Sequence, residues 1–191
     1  LKPKKKLRGF TSIHTIKNEQ NELLSYSYLK NQCDLFRIKL NKNLLPYKSH
    51  TIFIEYTLQI QNERFTKYGV TNKKDYFLNY WYITPVVFSD SEWKLYSNKN
   101  LDDYYTPKSN IKLTIETPKN YSVSSELNLK RTTNKLGKNK FYLEGKRRTD
   151  TRLNISRKPF IEHKIGSLNV ISDSFSSHES LAMEINPFNK V

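Results

Sequence analysis

The residues that could do chemistry in this chain are few and scattered. The four histidines are His14, His50, His163 and His178, and none lies three or four positions from another or from the cysteine. Zinc ligands usually come in such short-spaced pairs, because one turn or one helical face must deliver two of them to the same ion. His178-Glu179 opens like the H-E-x-x-H zinc helix, but Ala182 stands where the second histidine is needed. That pair reads as exposed polar residues. The single cysteine, Cys33, sits in an alternating run and reads as a small strand side chain rather than a nucleophile. It cannot form an internal disulfide. Asp102-Asp103, with Asp90 and Glu92 nearby, could bind a hard cation such as calcium. The D-x-[DN]-x-[DN]-G spacing is absent, so solvated loop charges are the plainer account. There is no G-x-S-x-G and no glycine-rich phosphate loop. No catalytic, cofactor-binding or metal-binding residue is therefore assigned.

The best cluster of one charge type is Arg131, Lys146, Arg147, Arg148 and Arg152. If hairpins stack, these five could form one positive, phosphate-binding patch; otherwise they decorate a charged sheet face. The formal charge of +15 attracts polyanions non-specifically. Lysine dominates over arginine, the usual residue for bidentate contacts to bases and phosphates. That balance argues against nucleic acid as a partner and for a lysine- and asparagine-rich background. Residues Leu1–Arg8 read LKPKKKLR, an arm or linker with five basic residues in eight. Such a start is compatible with a linker that follows a membrane segment, although no run here approaches the ~18 apolar residues of a span. The compartment is not legible.

These residues need a scaffold, and the scaffold reads as strands. The chain has 191 residues, 36% apolar and 13% aromatic, with only five glycines and seven prolines. That suits one domain of ordinary size with ragged ends. We expect a basic arm and lead-in over residues 1–30 and an antiparallel β-domain over 31–173. A tail, or the start of a following helix, covers 174–191. Tyr76–Pro85, YFLNYWYITP, has five aromatics in ten residues and predicts a central strand closed by Pro85. His50–Ile60 alternates most clearly, with Ile52, Ile54, Tyr56, Leu58 and Ile60 on one face. One wet face implies antiparallel pairing. Cys33–Leu40 predicts a strand with Phe36, Ile38 and Leu40 on its apolar side. Ile13–Tyr28 is open between a short helix near Glu19–Leu24 and a lead-in strand. Arg64–Val70 reads as a short strand or extended loop, and Val86–Tyr96 as a long loop anchored by Phe88, Trp93 and Tyr96. Asn98–Pro107 has no period and reads as loop.

In the second half, Asn110–Thr117 puts Ile111, Leu113 and Ile115 inward, and Tyr121–Leu129 follows a Pro118-Lys119-Asn120 turn. Together they predict a hairpin. Lys130–Asn139 is polar and basic around Gly137, Lys140–Glu144 a short strand, and Gly145–Thr149 a turn. Arg152–Ser156 and Ile161–Ser172 complete the strands. Ser177–Ile185 could begin a helix with a capping box. The fold class is mainly β, a curved antiparallel sheet or a two-layer domain, since alternating strands must bury their apolar faces against another layer.

Several of these stretches also carry a family resemblance. Leu40–Pro46, TIFIEY at Thr51–Tyr56, Phe65–Gly69, NYWYITP at Asn79–Pro85, Trp93 with YYTPKS at Tyr104–Ser109, and IKLTIETPKNY at Ile111–Tyr121 are the matching segments. Val123, Leu127, Ile155 and Ile161–Asp173 continue them. Taken together they resemble the amino-terminal β-domain of the M1 family of zinc aminopeptidases, in a divergent bacterial form, over about Leu35–Asp173. Ile83 and Thr84 stand inserted before the proline of the family's W-Y-P stretch. The family's earliest strands lie upstream of Leu1 or are replaced. The resemblance implies a saddle-like β-domain that packs in cis against a peptidase catalytic domain and helps shape its substrate cleft. Zinc and the peptide substrate would then belong to the parent protein through that other domain, and no cofactor to this chain. Ala182-Met183-Glu184 matches part of the family's substrate motif, but Ile185 interrupts it and it comes too early, so it is set aside as chance. The alternatives are a β-sandwich binding module for protein or carbohydrate at a cell surface, with an exposed aromatic patch in Val86–Tyr105, and a basic nucleic-acid-binding domain.

Overall fold

The computed structural model describes residues 4, 7–95, 106–165 and 168–172. Its strands in chain order are β1 (Phe10–Asn18), β2 (Tyr26–Leu29), β3 (Gln32–Ile38), β4 (Ile52–Gln59), β5 (Gly69–Val70), β6 (Tyr76–Leu78), β7 (Phe88–Ser89) and β8 (Glu92–Trp93). They continue with β9 (Ser109–Pro118), β10 (Ser122–Ser125), β11 (Asn128–Lys135), β12 (Lys138–Arg148), β13 (Leu153–Ser156), β14 (Ile161–Ile165) and β15 (Leu168–Ser172). Every strand ladder is antiparallel, and the described residues contain no α-helix; a 3-10 turn lies at Glu63–Phe65. The mainly β, antiparallel class expected from alternation is what the structure shows. The chain forms two compact units, residues 1–61 with 83–106, and 62–82 with 107–191.

In the first unit β4 pairs with β1, with Ile54 opposite Ile16. Ile54, Tyr56, Leu58 and Ile60 are half-buried while Thr51, Glu55 and Thr57 are exposed, as the alternation requires; Ile52, at the strand's start, is 38% exposed. The stretch left open between helix and strand is a strand followed by a reverse turn. Asn18 closes that turn by accepting from the Gln20 and Glu22 amides, and the chain returns so that the Leu24 amide donates to the Ile16 carbonyl. This side-chain mimicry of a backbone turn is what asparagine offers in place of a helix start. Ile16 and Leu24 are buried there. In the β2–β3 hairpin, Phe36 meets Tyr26 and Tyr28 edge-to-face at 5.7 and 6.1 Å, yet Leu35, on the other side of β3, is the buried residue. The single apolar side expected for this strand is thus two half-apolar sides. Val86–Tyr96 is not all loop: it contains the small β7–β8 hairpin, with Asp90 and Ser91 at φ 52° and 65° in its turn.

The second unit holds two larger sheets over one core, and the separate two-stranded β14–β15 sheet. The order β11-β12-β9 makes one and β10-β13-β6-β5 the other. Register sets Leu113 opposite Leu143 and Ile115 opposite Phe141. Leu127, Phe141 and Leu143 are buried, with Ile111, Leu113, Ile115 and Val123 packed against them. Since Val123 comes from β10, the cluster joins the two layers. Each of the buried three, Leu127, Phe141 and Leu143, contributes about 1.5–3 kcal/mol, and the partly buried ones less.

Three expectations need correction. The aromatic run does place β6 inside its sheet, between β13 and β5, but the ladder stops at Leu78. Tyr80 turns at φ 49°, and that left-handed residue, not Pro85, ends the strand. Asn110–Thr117 and Tyr121–Leu129 are not a hairpin. The turn exists, with the Tyr121 amide donating to the Pro118 carbonyl, but β9 pairs with β12 and β10 crosses to β13. Alternation tells which face is buried and is silent on which neighbour a strand takes. Lys130–Asn139 and Gly145–Thr149 belong largely to β11 and β12; these form a hairpin with an irregularity between Leu129 and Arg131, and β12 bulges between Gly145 and Arg148 where it pairs with β9. The Arg64–Val70 segment is divided between the 3-10 turn and β5. The expected loop residues 98–105 and the helix at Ser177–Ile185 lie outside the described residues.

Candidate functional site

The aromatic residues of the family-like segments act as anchors. Trp81 donates from Nε1 to the carbonyl of Thr151 at 3.1 Å, and Thr151 is 1% exposed. The Thr151 hydroxyl meets Ser125 Oγ at 3.2 Å, and that same serine donates to the Arg152 carbonyl and accepts from the Leu127 amide. Tyr121, buried, donates its hydroxyl to the Lys74 carbonyl and accepts from Arg157 Nε, both at 3.1 Å. Asp75 accepts from Ser156 Oγ and from the Arg157 amide. These groups tie the ends of β6, β10 and β13 together. Their hydroxyls face carbonyls and a carboxylate with no histidine among their partners, so they hold the backbone rather than activate a nucleophile.

The expected basic cluster is brought together in part. Lys146 and Arg147 are exposed on the β12 bulge, where Arg147 has φ 53° and its amide donates to Asn110 Oδ1. Arg148 follows, half-buried, and its Nε finds no partner among the described residues. Arg152 pairs with Glu126 at 3.6 Å. Arg131 lies opposite Tyr142, six residues before Arg148 along β12 and so about 20 Å away along the strand. Its guanidinium sits 4.2 Å from the centre of the Tyr142 ring.

Two arrangements had no signal in spacing. One is a cleft of about 120 Å³ in the first unit, lined by Glu19, Glu22, Asn41 and His50 among others. His50 Nδ1 stands 3.3 Å from Glu19. Hydrogen bonding from its own backbone amide, then from His50, holds the Glu19 carboxyl below its ordinary value. Asn41 and Asn18 do the same for Glu22, from 3.0 and 2.7 Å. A His–Glu pair can orient an imidazole; a metal would need a third ligand, and no group of three such residues occurs among the described residues. The other is the β7–β8 hairpin. Phe88 and Trp93 face each other at 5.0 Å while 58% and 60% exposed, and Lys94 pairs with Asp90 and Glu92 beside them. His178 and Asp102-Asp103 lie outside the described residues.

No protein-family model, curated protein or solved structure matches this chain. No helix among the described residues is long and apolar enough to cross a membrane.

Proposed function

We propose that this chain is a non-catalytic β-domain of an M1-like metallopeptidase, which packs against a catalytic domain in cis and shapes its substrate cleft. One observation carries the reading. The residues of the family-like segments, Trp81 in NYWYITP and Tyr121 in the P-x-x-Y turn, are the side chains that pin strand ends. Both segments thus have a structural part to play, as segments of a scaffold domain would. Peptide hydrolysis in such a protein uses metal-activated water. The ligands for that metal, and the contacts to peptide, would come from the catalytic domain. This chain's part is to present a fixed wall.

The product of the full natural gene, measured by intact mass and zinc content beside this chain, tests the proposal. A larger product that holds about one zinc and cleaves amino-terminal residues is expected. A product that ends near Val191 and holds no zinc would sink it. A second reading, a binding module for protein or carbohydrate at a cell surface, is favoured by the exposed Phe88–Trp93 pair. Such rings suit stacking on a sugar or on a partner's side chains. Under that reading Trp93→Ala abolishes glycan or protein capture and leaves folding intact.

A further inference from the structure

The outer face of the β11-β12-β9 sheet has a pattern that neither reading above uses. Strand parity puts Arg131, Thr133 and Lys135 of β11 on this face. Lys138, Lys140, Tyr142, Glu144 and Lys146 of β12 join them, with Lys112, Thr114 and Glu116 of β9. Two of the cations are neutralised across strands: Lys138 by Glu116 at 2.6 Å and Lys112 by Glu144 at 3.7 Å. The others are not. Among the described residues Arg131, Lys135, Lys140 and Lys146 form no ion pair, nor do Lys130 and Arg147 at the two bulges. All but Lys140 are exposed. The free charges run beside β12, an eleven-residue strand about 35 Å long. Tyr142 at the middle is already capped, by Arg131 at 4.2 Å and Lys140 at 5.8 Å.

We propose that this face binds a linear acidic polysaccharide, one bearing carboxylate or sulfate groups at regular intervals. The match is in charge and form. A strand-length track of cations, with Thr114, Thr133 and Asn128 as hydrogen-bonding neighbours, fits an extended polyanion. The choice of glycan over single-stranded nucleic acid follows from Tyr142. Binders of single strands present open aromatic faces on which bases stack, and the one ring on this face is covered by a guanidinium. Lysine point charges serve scattered sulfates or carboxylates as well as they serve phosphates, and they lack the fork that reads bases. The peptidase-domain reading is independent of this face, and neither outcome below bears on it.

The test is a titration of the whole chain with a heparin oligosaccharide and, separately, with a single-stranded DNA oligomer of equal charge at the same salt. The wild type is compared with the double variant Arg131→Glu/Lys140→Glu, the neutral variant Lys140→Gln, and a control, Lys158→Glu, outside this sheet. Circular dichroism checks that each is folded. The oligosaccharide should bind more tightly than the DNA. The double reversal should weaken it about tenfold or more, and Lys140→Gln by a smaller factor in the same direction. Lys158→Glu should match the wild type within about twofold. If the control weakens binding as much as Lys140→Gln or more, attraction is by net charge alone and the proposal is wrong, since Lys158→Glu changes the charge by two and Lys140→Gln by one. Equal or tighter binding of the DNA overturns it in favour of nucleic acid.

Discussion

Trp81 shows how one side chain fixes several. Its indole N–H satisfies the carbonyl of Thr151, a residue that is 1% exposed and shut off from solvent. Replacing Trp81 by Phe keeps most of the apolar area and removes the donor, so a buried acceptor is stranded. Such a loss costs about 1–3 kcal/mol. Trp81→Phe should therefore lower the midpoint of urea unfolding, and an unchanged midpoint would remove Trp81 from its anchoring role. Tyr121 is the companion case, with two partners on one hydroxyl. Two of the residue types most often used for chemistry sit in plainer settings. Cys33 is exposed on β3, and His14 donates to or accepts from Thr57 on the open side of the β1–β4 pair.

At the scale of elements, the β11–β12 hairpin holds the clearest tension between local preference and fold. Its two-residue turn, Leu136-Gly137, has φ of 51° and 74°, the mirror-image turn that matches strand twist. Glycine adopts such angles freely, whereas a leucine there is strained and is 91% exposed with nothing to pack on. Leu136→Asn should raise stability by about 0.5–1 kcal/mol, measured as the shift in unfolding free energy. A loss would mean that Leu136 has a role its exposure does not suggest. The opposite result is expected at the bulge. A Cβ on Gly145 would stand 2.5 Å from Leu127 Cδ2, inside the core cluster. Gly145→Ala should cost about 1–3 kcal/mol by overpacking, read in the same assay, and no cost would show that Leu127 can yield. The strand β11 has neither an apolar face nor a buried residue. It forms because the turn delivers it to β12, and its charged side chains discourage a further strand from adding to that edge.

At the scale of the whole molecule, charge outweighs other influences on how stability responds to solvent. The formal net charge is +15, and the carboxylates are few enough that their pairing matters. Lys138 holds the Glu116 carboxyl below the ordinary value of 4.5, and Lys94 does so for Glu92. Glu19 and Glu22 are lowered by the hydrogen bonds of the cleft. All four are depressed in the folded state, so the unfolded chain binds these protons first on acidification. The stability they contribute is complete above 4.5 and is lost as pH falls through the folded values. Protonation also raises the net positive charge, which adds repulsion. Melting temperature should thus fall on going from about pH 5 to about pH 3.5, and moderate salt should raise it at neutral pH by screening. A melting temperature that rises on acidification would contradict both parts.

The class of structure and the faces of its best strands were already written in the order of residues. Ile54, Tyr56 and Leu58, and Ile111, Leu113 and Ile115, are turned inward where their period of two places them, because burial of one side of a pleat is a local property of spacing. The aromatic and P-x-x-Y segments stood out by composition, but their anchors Trp81 and Tyr121 lie outside the strands, where a period of two says nothing. Pairing was settled only by the folded chain. Lys112 to Glu116 look the same whether Ile111–Thr117 lies beside β10 or β12, since ladder hydrogen bonds come from the backbone and carry no side-chain signature. Polar β11 was invisible for the same reason, with no apolar rhythm to mark it and a turn written Leu-Gly instead of Asn-Gly. The basic residues were legible as a group, but which of them stay free depends on cross-strand neighbours. Glu116 stands opposite Lys140 in the register yet pairs with the diagonal Lys138, twenty-two positions away, and Lys140 forms no ion pair among the described residues, a choice that only the folded side chains make.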